Sequence, residues 1–583
     1  MLIDPEKYLT ITKRIYFLIL LMGYCIPATA QYSRYIVQFT DKKGTPYMLD
    51  NPSAYLSSKS IQRRAKQNIQ TDSSDLPITP AYINSIRSVP NVQVLNYSKW
   101  LNQVLIKTTD PSALAIINTF SFTRQVAPVA LAVNHRKEDT SSAKTDKAFI
   151  LQRNESVTAE KLVDTIAGIV TNHFDYAYSY PQIHIHKGEY LHNLGFYGEG
   201  VVIAVLDGGF AGYLTNPAFD SLRLNNQVLG TYDYVNRKQS VNEENEHGAF
   251  CLSIIAANEP GKIVGAAPKA KFWLFKTEDV NSEYPVEEQN WIAAAEFADS
   301  AGADMISTSL GYAYFDDSSL NHSYATRNGH TTMITRAANF AVAKGMIVTA
   351  SAGNSGDAND ERKYIGSPAD ADSVLTIGAT DVSGNIASFS SWGPNAAGST
   401  KPNVVSVGKG TVFAALNGEP AMGNGTSFSN PNIAGLIACL WQAFPEFNNH
   451  DILDAVQHSA DRYNHPDDRY GYGIPDFIRA YALLENKRNF LHYINTMGDQ
   501  WISAYPVPFN NNFTVVFKPD ISGKADLQLI DVNGRIIETK SIQVIANVFS
   551  YLQFDHSYFL KKGIYFIRYN DHNKKKTLKI IKQ

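Results

Sequence analysis

The stretch Val201-Val-Ile-Ala-Val-Leu-Asp207-Gly-Gly209 decides the fold. Six apolar residues without alternation, closed by a carboxylate and two glycines, describe a strand buried on both faces that ends at a sharp turn. Four similar runs follow, at Phe272–Phe275, Asp304–Ser309, Met346–Ala350 and Val374–Ile377. Between them lie helical stretches at His247–Ala257, Glu287–Ala301 and Thr332–Lys344. Continuous apolar strands separated by helices predict a parallel sheet with helices on both faces, an α/β architecture. Ligands of such sheets bind beyond the carboxyl ends of the strands. Asp207 and Asn354, the latter in Ser351-Ala-Gly-Asn354, both fall just past such ends.

Two further segments supply what a carboxylate needs for nucleophilic chemistry. His247-Gly248 opens one helix, and Gly425-Thr-Ser-Phe-Ser-Asn-Pro431 leads into another over Ser427–Gln442. A serine hydroxyl is a weak nucleophile at neutral pH and needs an adjacent base. An imidazole base in turn needs a buried carboxylate that fixes its tautomer and stabilises the imidazolium. Singly, each motif is commonplace: an Asp-Gly makes a turn, and a Thr-Ser caps a helix. Their order, Asp…His…Ser, with each residue at the edge of the element its role requires, differs from the chymotrypsin and α/β-hydrolase orders.

On these residues the chain resembles the subtilisin-like serine peptidases (subtilases) over about 175–486. The resemblance implies a secreted endopeptidase in which Ser427 attacks, His247 shuttles the proton and Asp207 orients His247. It also implies that Asn354 and the Ser427 backbone N–H hold the oxyanion. Ser309-Leu310-Gly311 matches the family segment that pairs with an extended substrate as an added strand. With Ser351, Ala352 and Gly353 it makes the candidate substrate-binding set, whose glycines leave room for an apolar side chain. Ser388–Pro394 and Tyr470–Pro475 resemble later family landmarks. Asp207-Gly-Gly, Phe250-Cys251 and Phe428-Ser-Asn430 depart from the usual pattern without removing a catalytic group. No cofactor is required for this chemistry. Calcium is common in the family, but no loop offers a defensible ligand set, so calcium stays unassigned and no residue is placed on a metal.

Length and composition agree with several globular domains. The chain has 583 residues, 44% hydrophobic and 18% charged, with net charge −3, which gives no basic footprint for nucleic acid. Lys13-Arg14, the apolar run Ile15–Met22 and Ala28-Thr-Ala30 read as a signal peptide over 1–30, with a membrane anchor as the alternative. The run is shorter than the ~20 residues that span a bilayer. Residues 31–133 alternate strand and helix patterns and sit where subtilases carry an inhibitory, chaperoning propeptide. A polar linker is expected over 134–174, the peptidase domain over 175–486 and a connector over 487–500. Residues 501–583 read as a small all-β sandwich with an Asn533-Gly534 hairpin turn. That sandwich resembles the type IX secretion system sorting domain of Bacteroidetes, with a carbohydrate-binding or adhesion module as the alternative. The expected partners are protein or peptide substrates, the chain's own propeptide and the secretion machinery, with an extracellular or outer-surface location. A catalytically inactive subtilase fold used for surface binding or adhesion is the competing functional reading.

Overall fold

The computed structural model describes residues 32–131, 150–151, 172–243, 245–498, 500–555 and 559–583. The expected signal segment and most of the 134–174 linker lie outside the described residues. Strands β1 (Tyr32–Phe39), β2 (Gln93–Ser98), β3 (Gln103–Lys107) and β4 (Thr123–Leu131) form an antiparallel sheet in the order β2-β3-β1-β4. Helix α1 (Ser58–Lys66) precedes β2, as does α2 (Pro80–Arg87), and α3 (Pro111–Thr119) precedes β4. The two-residue period of β1 divides its side chains. Val37 and Phe39 face α2 and α3 in one core, whereas Ile36 packs with Leu105 and Ala130 against Tyr284 and Val286. The N-terminal module thus lays one sheet face on the neighbouring domain.

The next elements are β5 (Ile150–Leu151), the short helices α4 (Tyr180–His184) and α5 (Glu189–Asn193), β6 (Val202–Asp207), α6 (Asp220–Leu224) and β7 (Val228–Asp233). Then come α7 (His247–Ala256), a small hairpin of β8 (Asn258–Glu259) and β9 (Ile263–Val264), β10 (Lys271–Lys276), α8 (Val286–Ala301), β11 (Met305–Thr308) and α9 (Met333–Ala343). The domain continues with β12 (Ile347–Ser351), β13 (Leu375–Thr380), β14 (Val404–Val407), β15 (Lys409–Ala414), β16 (Pro420–Asn424), α10 (Thr426–Ala443) and α11 (Asn449–Ser459). Seven strands make one parallel sheet in the order β14-β13-β12-β11-β6-β10-β7. Every residue of β6 is buried, as its unbroken apolar run requires. Helix α10 buries all its residues except Gln442 and packs on α7 and across the sheet, which is why it has no polar stripe.

The seam between the N-terminal module and this domain is ionic. Asp299 on α8 receives Arg63 and Arg64 of α1, the latter at 2.9 Å, and Lys99 at 3.4 Å. Arg64 also meets Asp75 at 2.8 Å, and Lys344 reaches Asp75 at 2.8 Å from the other side. Glu296, one turn before Asp299, accepts from Ser98 Oγ and from the backbone N–H groups of Lys99 and Trp100. Trp100 and Leu101 insert into the large core between α8 and α9. Burial pushes the Asp299 carboxyl up, yet Lys99, Arg63 and Arg64 pull it down to about 2. For Glu296 burial prevails, and the carboxyl rises to about 7.

The chain divides into two compact units between Tyr481 and Ala482. Helix α12 (Phe477–Thr496) runs through this boundary, so most of the stretch expected as a 487–500 connector is helical. The second unit has two antiparallel sheets, β17-β18-β21 (Ile502–Tyr505, Phe513–Phe517, Ser550–Phe554) and β20-β19-β22-β23 (Ile536–Val544, Gly523–Ile530, Gly563–Asn570, Lys575–Lys582). Phe513, Val515, Phe517, Leu527, Leu529 and Ile567 fill the space between them, giving a β sandwich. Its Asn533-Gly534 turn differs from the tight two-residue form. Of the two residues Gly534 has positive φ, and a register shift at Leu529/Ile530 accompanies a longer loop in which the Asp531 carboxylate accepts the Asn533 N–H.

Candidate active site

Asp207 is the last residue of β6, and His247 is the first of α7. His247 Nδ1 lies 2.7 Å from Asp207 Oδ1, which also accepts the Gly208 N–H at 2.7 Å. Gly248 permits the approach: a Cβ there would stand 2.4 Å from the Gly209 carbonyl oxygen and 2.9 Å from Asp207 Cβ. Burial pushes the imidazole pKa down, but the Asp207 carboxylate outweighs it, and the net result is well above the ordinary histidine value. Cys251, one helical turn on, places Sγ 3.9 Å from His247 Nδ1. Burial pushes its own pKa up, so the sulfur is held as a thiol. Cys251 and Cys439 are both free and buried.

Ser427 is the second residue of α10 and is 5% exposed. In an unbroken helix its carbonyl would accept the N–H of residue 431. Pro431 has no N–H, and its ring crowds that carbonyl. The freed oxygen instead accepts Ser309 Oγ at 2.9 Å and the Cys251 thiol at 3.3 Å. Ser427 Oγ in turn stands 3.4 Å from the Ser309 carbonyl. Asn430 Nδ2 donates to Ser307 Oγ and to the Thr308 carbonyl, both at 3.1 Å, fastening the first turn of α10 to the end of β11.

Asn354 follows β12 through Gly353, whose φ of +107° and 2.8 Å clearance from Ser391 Oγ leave no place for a side chain. Asn354 Oδ1 accepts the Thr426 N–H at 2.8 Å and Thr426 Oγ1 at 3.0 Å, so the amide nitrogen is the end turned to donate. A Cβ on Gly425 would lie 3.7 Å from both Asn354 Nδ2 and Ser427 N. The two donors therefore border one small volume at the positive end of α10, an arrangement suited to an anion.

Ser309, Gly311, Ser351, Ala352 and Gly353 line a cleft that ends at Asn354 and Ser427. Leu310, between two of them, turns its side chain into the core. The cleft also has walls that sequence reasoning missed, above all Glu283, which comes from the β10–α8 loop with no local motif to mark it. Glu278, Glu283 and Glu287 bring their carboxylates within 4.8 Å of one another. Tyr312 donates to Glu278, and Glu287 accepts the N–H groups of Asp279 and Tyr284. Behind His247, Phe413 packs against Phe250 with ring centroids 4.5 Å apart and against Phe428 at 5.1 Å. Phe428 itself lies 6.1 Å from the His247 ring.

Comparison with known proteins finds three matches along the chain. Residues 198–473 match the subtilase family, 34–146 match the peptidase S8 propeptide domain of Bacteroidota, and 503–583 match a secretion system C-terminal sorting domain. Over 278 residues the chain is 31% identical to a thermophilic serine proteinase of Bacillus sp. (strain AK1), covering 47% of this chain and 60% of that one. Over 274 residues it is 28% identical to subtilisin BL of Lederbergia lenta, covering 46% and 86% respectively. Among solved structures, MycP1 from Mycobacterium smegmatis aligns with a TM-score of 0.42 at 20% identity, over 53% of this chain and 86% of that one.

Proposed function

We propose that this chain, whose residues 198–473 belong to the subtilase family, is a secreted serine endopeptidase acting on protein or peptide substrates through an acyl-enzyme. The observation that carries the reading is the 2.7 Å Asp207–His247 contact at the carboxyl end of β6, on the sheet end where Ser427 and Asn354 also lie. Ser427 Oγ attacks the substrate carbonyl while His247 takes its proton, and Asp207 holds the imidazole by Nδ1–H. The oxyanion sits in the volume bordered by Ser427 N–H and the Asn354 amide. His247 then returns the proton to the leaving nitrogen, and water repeats the sequence on the ester. The cleft along Ser309–Gly311 and Ser351–Gly353 receives the acyl side of the substrate.

The flanking domains fit the same reading. The N-terminal domain matches an S8 propeptide and would be the first ligand of the site, and the C-terminal sorting domain marks a secreted or cell-surface protein. A fluorophosphonate probe tests the chemistry: the protein freed of its N-terminal module should label, and the same form of Ser427→Ala should not. Folded, mature protein that takes no label would instead favour a catalytically inactive binding role.

A further inference from the structure

The cleft that ends at Ser427 and Asn354 is closed away from them by backbone. Tyr312 and Ser367 exchange N–H to carbonyl hydrogen bonds there, at 2.7 and 2.9 Å. Gly366 lies close against that pair, since a Cβ on it would stand 3.2 Å from the Tyr312 carbonyl oxygen. Before that closure the cleft is open: a Cβ on Gly311 would meet nothing within 4 Å. Ser309 touches Ser427, and Tyr312 follows three residues on, roughly 10 Å of extended chain. A side chain that fills this length must be a long one.

The glycines of this cleft admit an apolar side chain, but its wall is not apolar throughout. Glu283 borders the cleft with 1% of its surface exposed. Of three neighbouring carboxylates it is the one that does so. Glu278 and Glu287 stand behind it, the first taking the Tyr312 phenol and the second the N–H groups of Asp279 and Tyr284. Asp316 fixes the loop from both directions: its carboxylate accepts the Glu283 N–H at 2.9 Å, and its own N–H donates to the Glu283 carbonyl at 2.9 Å. The carboxylate is therefore placed before any substrate arrives. Carboxylates within 4.8 Å of one another repel when ionised, and a cation brought beside them relieves the repulsion. Tyr312, Tyr314 and Tyr364 also line the cleft, and their rings suit the methylene stem of such a cation. Arg362 borders the cleft as well, half-exposed, with Nε on the Asp360 carboxylate at 2.9 and 3.0 Å.

On the strength of the peptidase reading, we propose that Glu283 selects the residue on the acyl side of the scissile bond, so that the enzyme cuts after lysine and arginine. The carbonyl of that residue lies at Ser427 and Asn354. Its stem runs past Gly311 along the tyrosine rings, and its ammonium or guanidinium meets the Glu283 carboxylate at the buried end. Glu283 touches the substrate but none of the reacting atoms. It decides which peptides are held, not how the bond is broken.

The test compares peptide 4-nitroanilides that differ only in the residue before the scissile bond: Lys, Arg, Leu, Phe or Glu. They are offered to protein freed of its N-terminal module, with the reactive serine counted by fluorophosphonate. The expected kcat/KM is about tenfold or more higher for Lys and Arg, in either order, than for Leu and Phe. In E283Q the ratio of the Lys rate to the Leu rate should fall about a hundredfold, the order of effect of unpairing a buried charge. Benzamidine, a small cation, should compete with the substrates of the unaltered protein, a reading that does not depend on how E283Q folds. A preference for Leu or Phe, an unchanged ratio in E283Q that still labels, or a failure of benzamidine to compete overturns the proposal and leaves the peptidase reading in place. A preference for Glu overturns it in favour of Arg362. Protein that neither labels nor cuts any of the five removes both readings.

Discussion

Asp207 in the active site and Asp299 at the seam with the N-terminal module are both fully buried, yet they are partnered in opposite ways. Asp207 meets one imidazole and one backbone N–H, all within a single domain. Asp299 meets Arg63, Arg64 and Lys99, all from the module that matches the peptidase S8 propeptide domain. The first is one close pair, a carboxylate and an imidazole 2.7 Å apart, steadied by a single backbone N–H. The second is a cluster of ions beside the apolar insertion of Trp100 and Leu101, and water accepts each of those ions readily wherever the surfaces part. Buried ion pairs of this kind add less stability than their Coulomb attraction suggests, because desolvation opposes it, but removing one partner is severe.

The contrast can be broken at either end. Ser427→Ala should lower kcat by about 10⁶, the loss a subtilisin itself shows without its serine. Its unfolding temperature should stay unchanged in calorimetry, since only a small oxygen is lost. Asp299→Asn should do the reverse. It takes a carboxylate from three cations, of which Arg64 keeps Asp75, at a cost of about 3–5 kcal/mol or roughly 10²–10⁴-fold weaker binding of the N-terminal module once it is severed. Gel filtration should then show the two pieces apart, while kcat of the mature enzyme is unaltered. Equal losses of activity in both variants would dissolve the distinction.

Asn354→Ala should reduce kcat by roughly 10²–10³ with little change in KM, the size of effect subtilisin shows for this donor. A rise in KM alone would make Asn354 a substrate-positioning group. The pH response sharpens the comparison further. His247 must be neutral to act as base, and its pKa is raised, so activity should climb with pH through a midpoint above the ordinary 6.5. Glu296 moves from its ordinary 4.5 to about 7 when the propeptide covers it, so association takes up a proton. Its contribution to propeptide binding is therefore full below 4.5 and lost as the pH rises through about 7. Asp299, held at about 2, contributes above 3.8 and changes little in that window. Competition binding at several pH values should show propeptide affinity falling towards alkaline pH, and Glu296→Gln should flatten the curve.

The smallest expected effect is at Pro431. Pro431→Ala restores an N–H that competes for the Ser427 carbonyl, and kcat should fall by only a few-fold, because Ser309 and Cys251 still reach that oxygen. An undiminished kcat would mean that the proline matters to the helix and not to the serine.

Much of this was legible in the chain itself. β6 and β10–β13 announce themselves by unbroken apolar runs, Asp207 and Asn354 by motifs just past the ends of two of them, and His247 and Ser427 by motifs that open helices. The edge strands β7 and β14 were not, since β7 is half exposed and β14 spans four residues. Nor was the β15–β16–β5 sheet, whose third strand pairs across 272 residues of sequence between Leu151 and Gly423. Arg63 and Arg64 read locally as basic residues in the last turn of a short helix, and their carboxylate lies 236 and 235 residues away. Local pattern reveals what a segment becomes, whereas the pairing of distant polar groups depends on a fold no short window contains.

The packing of Phe250, Phe413 and Phe428 changes how this chain should be set beside its relatives. Phe250 and Phe428 look in the sequence like two separate departures beside two proposed catalytic residues. In three dimensions both lean on Phe413, whose backbone belongs to neither motif. The two departures are joined through one shared neighbour. Shrinking or enlarging any one of the three rings alone would leave a hole or a clash next to the histidine. Anyone transplanting the His247 or Ser427 segment from a relative into this chain would need to carry position 413 along with it.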